Sequence, residues 1–176
     1  MEKIVYTIGH SNRKLEDFMR LLKKFEIELL YDVRSFPTSR VAPHFSKDLL
    51  SKTLAEAGIE YIWDRRLGGY RKFGKDVRDI GIATCFKSEG FRAYATYLVS
   101  CEEALKAVEK LSLLAGKLRT AIMCSERLPW RCHRKILSDF MIARGFEVIH
   151  IIDEGWQVRH KLSRCAQIIN GVLVYD

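Results

Sequence analysis

Short apolar runs alternate along this chain with segments whose apolar residues recur at helical spacing, and this alternation limits the choice of fold. Several of the runs are almost continuously apolar, which is typical of strands buried on both faces of a parallel sheet. Strands that alternate with helices favour right-handed βαβ units with helices on both faces. We therefore expect a single α/β domain over residues 1–176, with a mainly parallel sheet of about five strands. The predicted strands are residues 3–8, 27–33, 59–63, 119–125 and 146–152.

Helix signals occur between these runs. Ser46 is predicted to cap one helix, which Gly58 ends, and Ser100 with Glu103 forms a capping box for another. Pro129 suits the first turn of a helix that runs to about Arg144. The other helical segments begin near Asn12 and Phe91, and Gly116 and Gly145 are further predicted helix ends.

Two other segments have a different character. Residues 64–87 are basic and show no regular period, so we interpret them as a functional loop or lid. Near the C-terminus, Asn170-Gly171 separates two β-rich runs and predicts a β-hairpin. The strand order does not follow from these patterns, so an open sheet and a partial barrel are both compatible with them.

Charge and cysteine usage narrow the function classes. The net charge of +8 favours a polyanionic partner such as nucleic acid, although a basic solvated surface is the alternative. Five cysteines without a CxxC pair give no disulfide framework, so we expect free thiols and a cytoplasmic location. Cys85, Cys101 and Cys165 are interpreted as small hydrophobic residues. The sequence has no apolar run of about 18 residues, so no contact with a membrane is expected.

Polar side chains follow the predicted strands. Because parallel strands present their carboxyl ends at one edge of a sheet, these side chains should meet where α/β proteins bind ligands. Each has a structural alternative: Ser11 as a helix cap, Asp32 as an acceptor for loop amides, and His150 as a core histidine. The candidates at this edge are Gly9, His10, Ser11, Asp32, Arg34, Ser35, Trp63, Asp64, Arg65, Cys124, Ser125, Glu126, His150, Asp153 and Glu154.

The stretch MCSERLPWRCHRK, residues 123–135, concentrates thiols, a histidine and arginines. Arginines at a helix N-terminus favour a bound anion such as phosphate. A cysteine-phosphatase cradle is excluded because six residues, not five, separate Cys124 from Arg131. Two interpretations stay open: an activated thiol, and a zinc site from Cys124, Cys132, His133 and His10. Adjacent residues project in different directions on a helix, which disfavours zinc, so we expect no metal and no cofactor.

Four ordered motifs, TIGHS, DVRSFPTSR, LGG and CSERLPWRCHR, resemble the marks of the domain-of-unknown-function 488 family. The resemblance runs from about residue 4 to 152. It implies an enzyme, and it implies a modified base as substrate, since some relatives are associated with the removal of bases such as thioguanine from DNA. The pattern C-x-E-x-x-P-x-x-C-H-R is carried by Cys124, Glu126, Pro129, Cys132, His133 and Arg134.

We therefore predict an enzyme that acts on nucleic acid, DNA rather than RNA, or on a nucleotide, and hydrolyses a base–sugar bond. A carboxylate can stabilise the oxocarbenium-like transition state, and Asp32 is the first choice. The predicted catalytic residues are Asp32, Cys124, Glu126 and His133. The predicted substrate- or phosphate-binding residues are His10, Ser11, Arg34, Arg131, Cys132 and Arg134. The predicted base-stacking or lid residues are Trp63, Tyr70 and Phe73.

Two alternatives remain open. The first is a cysteine-dependent hydrolase or transferase of a small anionic metabolite. The second is a nucleic-acid-binding module without chemistry, whose affinity would fall with salt as counterions are released.

Overall fold

The computed structural model describes residues 3–176 and contains a six-stranded sheet in the order β3-β2-β4-β1-β5-β6. Strands β1 to β5 are parallel, and β6 pairs antiparallel with β5. The prediction of a mainly parallel sheet is confirmed, and the sheet is open, with β3 and β6 at its edges. The strands are Lys3–Gly9, Leu29–Asp32, Glu60–Trp63, Thr120–Cys124, Phe146–Asp153 and Trp156–Arg159.

Helices cover both faces of this sheet, as predicted. Along β2, Leu29 and Tyr31 face the cluster that includes α3, α4 and α5, whereas Leu30 faces α1 and α2. Both faces are buried, which is why the sequence of this strand is continuously apolar. The α-helices of the described chain are α1 Leu15–Lys24, α2 Lys47–Glu56, α3 Glu89–Ser100, α4 Glu102–Ala115 and α5 Arg134–Ala143. Short 3-10 helices span Pro43–Phe45, Arg65–Leu67 and Pro129–Arg131.

Several predicted helix starts are wrong. Ser100 is the last residue of α3, and Cys101 is the N-cap of α4, so the predicted capping box does not form. Ser46 is the N-cap of α2, as predicted, but its side chain makes no capping bond to the helix and instead accepts from the backbone N–H of Ser39. Pro129 begins a separate 3-10 turn, and α5 begins only at Arg134. Arg131, Cys132 and His133 therefore precede α5 instead of lying in its first turn.

The C-terminal hairpin is confirmed. It joins β7, Ala166–Ile169, to β8, Val172–Tyr175, through Asn170 and Gly171. Both turn residues have positive φ, 51° and 78°, which the twist of a two-residue hairpin requires. Among residues 3–176, no helix is both long enough and apolar enough to span a bilayer.

The prediction that all thiols are free is wrong for two cysteines. Cys85, in the long loop, forms a disulfide with Cys165, just before the hairpin, across a sequence separation of 80 residues. Cys101, Cys124 and Cys132 are free. The sequence does not predict this disulfide because it depends on a tertiary contact between two irregular segments.

Candidate functional site

A cavity of about 440 Å³ opens at the carboxyl edge of the sheet. This volume is within the usual range for small-molecule sites. Its walls come from the loop after β2, the long loop before α3, and the segment that joins β4 to α5. The parallel register places Gly9, Asp32, Trp63 and Cys124 at this same edge, which is why distant segments meet there.

Seven of the predicted site residues line this cavity: Arg34, Tyr70, Cys124, Glu126, Arg131, Cys132 and His133. The others lie outside its lining: His10, Ser11, Asp32, Trp63, Phe73 and Arg134. Phe36, which the sequence reasoning did not select, also lines it. Phe36 belongs to the DVRSFPTSR motif, so the motif indicated that this segment contributes to the site. The sequence did not indicate that the side chain of Phe36 faces the cavity.

Cys124 and Cys132 form a buried thiol pair with their Sγ atoms 2.7 Å apart. Burial, together with the bond to Cys132, raises the pKa of Cys124 well above its usual value. Burial alone would also raise the pKa of Cys132, but the bond from Cys124 and the nearby His133 and Arg134 lower it well below its usual value. The backbone N–H of Arg134 points at the same sulfur, 3.4 Å away. The pair is therefore a Cys124 thiol that donates to a Cys132 thiolate.

His133 lies beside this pair with a defined ring orientation. Its Nε2 is 3.0 Å from the carbonyl oxygen of Val33, which can only accept a hydrogen bond. Nε2 therefore carries a proton, and the other ring nitrogen, Nδ1, faces the thiol pair at 3.6 Å from Cys132 Sγ. A Cβ on Gly69 would lie 2.5 Å from Nδ1, so the second glycine of the LGG motif permits this close approach.

Arg134 is fully buried behind the cavity. Its guanidinium donates to Thr7 Oγ1 at 3.2 Å and to the carbonyl oxygens of Glu126 and Arg127 at 2.5 and 3.4 Å. Burial would lower its pKa, but the neighbouring Cys124 and Cys132 sulfurs raise it. Arg134 therefore fixes the backbone that carries Glu126, and its guanidinium does not reach the cavity.

Asp32 is fully buried and forms an ion pair with Arg34, with a shortest distance of 2.7 Å. Tyr61 donates to the same carboxylate at 2.5 Å. Arg34 also donates to the carbonyl oxygen of Phe45 at 2.8 Å, and the bonds to Asp32 raise its pKa although burial opposes this. The carboxylate of Asp32 is thus occupied in holding Arg34 against the cavity wall.

Asp64, at the end of β3, repeats the arrangement of Asp32. It pairs with Arg66, two residues later, at 2.9 Å, and Tyr31 of the neighbouring strand donates to it at 2.5 Å. Burial would raise the pKa of Asp64, but the bonds from Arg66 and Tyr31 lower it. Glu126 is the carboxylate, among the three candidates, that lines the cavity.

The TIGHS motif, residues 7–11, is hydrogen-bonded to the segment that carries Glu126. The backbone N–H groups of His10 and Ser11 donate to the carbonyls of Cys124 and Ser125, each at 2.9 Å. Ser11 has a positive φ of 48°, and His10 stacks on Phe45 with ring centroids 4.7 Å apart. These residues therefore position the segment after β4.

Two of the three predicted base-stacking residues are engaged elsewhere. Trp63 donates from Nε1 to the carbonyl oxygen of Arg34 at 2.8 Å, and its ring lies under Lys47 at 4.7 Å. Phe73 packs against the Arg92 guanidinium at 5.2 Å. Tyr70 instead lies beside Phe36 at the cavity, with centroids 5.8 Å apart.

The fold and the cavity define an open α/β protein with a polar, thiol-containing site at the carboxyl ends of its parallel strands. The sequence pattern of the family described as "Domain of unknown function DUF488" matches residues 14–141. The chain belongs to this family, which confirms the resemblance noted from its motifs. Searches of curated proteins and of solved structures gave no match.

The buried histidines His10 and His150 make the folding stability of the protein sensitive to acid. Burial lowers the pKa of His10 to about 4 and that of His150 to about 3. Below the unfolded-state pKa of about 6.5, the unfolded chain binds protons that the folded chain excludes, so stability falls as the pH falls. Each histidine is expected to lower the free energy of unfolding by about 2 kcal/mol as the pH falls from 7 to 5.

Urea unfolding at the two pH values measures this loss, and NMR titration of the imidazole C–H signals assigns it. The loss continues down to about pH 4 for His10 and about pH 3 for His150. Titration midpoints near 6.5 for both rings in the folded protein would contradict this expectation.

Proposed function

We propose that this protein is an enzyme that hydrolyses the base–sugar bond of a modified base in nucleic acid or in a nucleotide. One observation carries the proposal: a single cavity is lined by the acidic residue Glu126, by the basic residues Arg34 and Arg131, and by the aromatic residues Phe36 and Tyr70. A carboxylate, cations and aromatic rings are the groups that a sugar, a phosphate and a base respectively require.

Glu126 is suited to the chemical step. Its Oε1 accepts from the backbone N–H of Leu128 at 3.2 Å, while Arg134 binds its carbonyl oxygen, so the side chain projects from a fixed backbone. In the proposed reaction, the bond between C1′ and the base nitrogen breaks, and the base leaves with the bonding electrons and takes up a proton from solvent, to which Glu126 later returns the proton that it accepts. Water adds its oxygen to C1′ and gives a proton to Glu126, whose negative charge also stabilises the oxocarbenium-like transition state.

Substrate binding would use the rest of the cavity wall. Arg131 is exposed, so it can contact phosphate oxygens. Arg34 is 4% exposed and its guanidinium is bound to Asp32 and to the carbonyl oxygen of Phe45, so it contributes positive charge from behind the cavity wall. Phe36 and Tyr70 are 63% and 79% exposed, which is unusual for neighbouring large aromatic residues and suits stacking on a flipped or single-stranded base. The net charge of +8 would attract such a polyanion.

The proposal also includes the kind of nucleic acid and the location of the protein in the cell. DNA is the preferred substrate over RNA because of the substrates associated with relatives of similar motif. The cytoplasm remains the predicted location: the free thiols of Cys101, Cys124 and Cys132 favour a reducing compartment, whereas the Cys85–Cys165 disulfide favours an oxidising one.

Replacing Glu126 with glutamine is expected to lower base release at least 100-fold, because the amide can neither take the proton nor supply the negative charge. The assay incubates the protein with oligonucleotides and nucleotides that carry a panel of modified bases, and detects released bases by mass spectrometry. Glu154→Gln is the matched control, since Glu154 is exposed after β5 and outside this cavity.

The outcomes separate the proposal from its alternatives. Affinity of Glu126→Gln for the oligonucleotide should stay within a few-fold of wild type, because Glu126 is not proposed to bind phosphate. Salt-dependent binding without a product from any substrate would instead indicate a binding module. Equal base release by wild type and Glu126→Gln would contradict the proposed role.

A cysteine-dependent hydrolase or transferase of a small anion is the second candidate. Cys132 lines the cavity with His133 Nδ1 3.6 Å away and the Arg134 N–H 3.4 Å away, as an activated nucleophile would be. Iodoacetamide should then inactivate the enzyme, and Cys132→Ala should be inactive while Cys101→Ala is not. Full turnover after alkylation of Cys132 would exclude this candidate.

A further inference from the structure

We propose that Cys124, Cys132 and His133 form a binding site for a divalent metal ion of the zinc class. The two Sγ atoms and one imidazole nitrogen lie within 4.8 Å of one another. Two thiolates and one imidazole, with a fourth position left for water or substrate, are a ligand set that catalytic zinc sites use. This inference concerns a property beyond the proposed hydrolysis and does not depend on it.

The observed backbone at Cys132 and His133 is not helical, which removes the reason for expecting no zinc site. That expectation assumed that Cys132 and His133 lie on a helix and project in different directions. Cys132 is instead extended, with φ −135° and ψ 152°, and His133 is the N-cap that precedes α5. This geometry directs both side chains to the same place, so that His133 Nδ1 is 3.6 Å from Cys132 Sγ.

The ring of His133 has the orientation that a metal ligand needs. Its Nε2–H donates to the carbonyl oxygen of Val33, so Nδ1, which faces the two sulfurs, is the ring nitrogen whose lone pair a metal ion would take. Metal-bound histidines usually donate their other ring N–H to a carbonyl or carboxylate, which fixes the ring.

The two sulfur atoms differ in their outer contacts. Arg134 donates its backbone N–H to Cys132 Sγ at 3.4 Å, a contact that stabilises a thiolate. Cys124 Sγ lies 3.8 Å from the carbonyl oxygen of Glu126, which can accept from its thiol and does not stabilise its thiolate. The Sγ atoms are 2.7 Å apart, whereas tetrahedral zinc with bonds of about 2.3 Å separates two sulfurs by about 3.8 Å. Binding therefore requires a displacement of about 1 Å, shared between two side chains that can rotate about χ1.

Local charge is compatible with a divalent ion that keeps one exchangeable position. Two thiolates and the buried Arg134 guanidinium sum to one negative charge, which a divalent cation converts to one positive charge. An anionic fourth ligand would neutralise it, and the cavity opens at this position because Cys124, Cys132 and His133 all line it. Arg131, on the same cavity wall, would favour such an anion.

The test uses the full-length protein, reduced and freed of metal, titrated with Co²⁺ as a spectroscopic substitute for Zn²⁺. We expect equimolar binding with intense thiolate-to-cobalt charge-transfer absorption, displacement of cobalt by Zn²⁺, and a higher Tm with Zn²⁺. Cys132→Ser and His133→Ala should lose at least tenfold in affinity. Cys101→Ser, which alters a free cysteine elsewhere, should bind as wild type does.

Gly69→Ala keeps the test informative if a ligand variant does not fold. The new Cβ would lie 2.5 Å from His133 Nδ1 and should weaken Co²⁺ binding at least tenfold, whereas Gly90→Ala, in α3, should not. Absence of charge-transfer absorption in reduced wild type, or equal metal uptake by wild type and Cys132→Ser, would overturn the proposal. Because no substrate is used, either result leaves the proposed hydrolysis to be judged by its own assay.

Discussion

Gly9→Ala is expected to destabilise the protein by about 3 kcal/mol or more, the upper end of overpacking costs. A Cβ at Gly9 would lie 1.8 Å from the carbonyl oxygen of Glu126, 2.4 Å from its carbonyl carbon, and 2.8 Å from the Cα of Arg127. All three atoms belong to the backbone, so no side-chain rotation can relieve the clash. Either β1 or the segment that carries Glu126 must move.

Urea unfolding of wild type and of the two single variants Gly9→Ala and Gly90→Ala measures this loss of stability. Gly90 lies in α3, where a new Cβ meets only Ser88 Oγ at 3.6 Å, so alanine there should be neutral or stabilising by up to about 1 kcal/mol. We also expect any folded fraction of Gly9→Ala to lose base release, because Glu126 is displaced. A Gly9→Ala protein as stable as wild type would contradict the close packing of TIGHS against the Glu126 segment.

Asp32→Asn is expected to cost about 3 to 5 kcal/mol, the usual effect of removing one partner from a buried ion pair. Asp32 is fully buried and Arg34 is 4% exposed, so the Arg34 charge would lose its compensating partner away from water. The amide would also lose acceptor capacity for Tyr61, which donates to this carboxylate at 2.5 Å. Disordering of Arg34 should raise KM for a phosphate-bearing substrate.

Asp17→Asn is the matched control, because the side chains of Asp17 and its partner Arg20 are 51% and 61% exposed, so this pair should contribute no more than about 1 kcal/mol. The comparison also decides between two roles for Asp32. As a positioning residue for Arg34, it should affect stability and KM together. An Asp32→Asn protein with unchanged stability and no turnover would instead support the sequence prediction that Asp32 is the catalytic carboxylate.

The sheet was predictable because burial on both faces leaves a continuous apolar run. Strand β2 is an example: Leu29, Leu30 and Tyr31 are all fully buried. β6 was missed because an edge strand has no such requirement, and three of its four residues are exposed. The Pro129 turn was predictable, but its early end was not, since the 3-10 helix stops at Arg131 before α5 begins.

The edge of the sheet where the site lies was also predictable, whereas the roles of individual residues were less so. Parallel register brings strand ends together, and Cys124 and Glu126 follow directly from it. The direction of each side chain depends on tertiary partners that the sequence does not specify. Asp32 turns to Arg34 and Tyr61, and Arg134 turns to backbone carbonyls, so neither faces the cavity.

The proposal that the cavity around Glu126 hydrolyses a base–sugar bond can be tested by following the reaction in isotopically labelled water. Wild-type protein, given an oligonucleotide with a modified base, should release the free base and place the labelled oxygen at C1′ of the sugar. Glu126→Gln should do so at least 100-fold more slowly while binding the oligonucleotide with similar affinity. Release of no base from any substrate of the panel, or label incorporation at the same rate in both proteins, would contradict the claim.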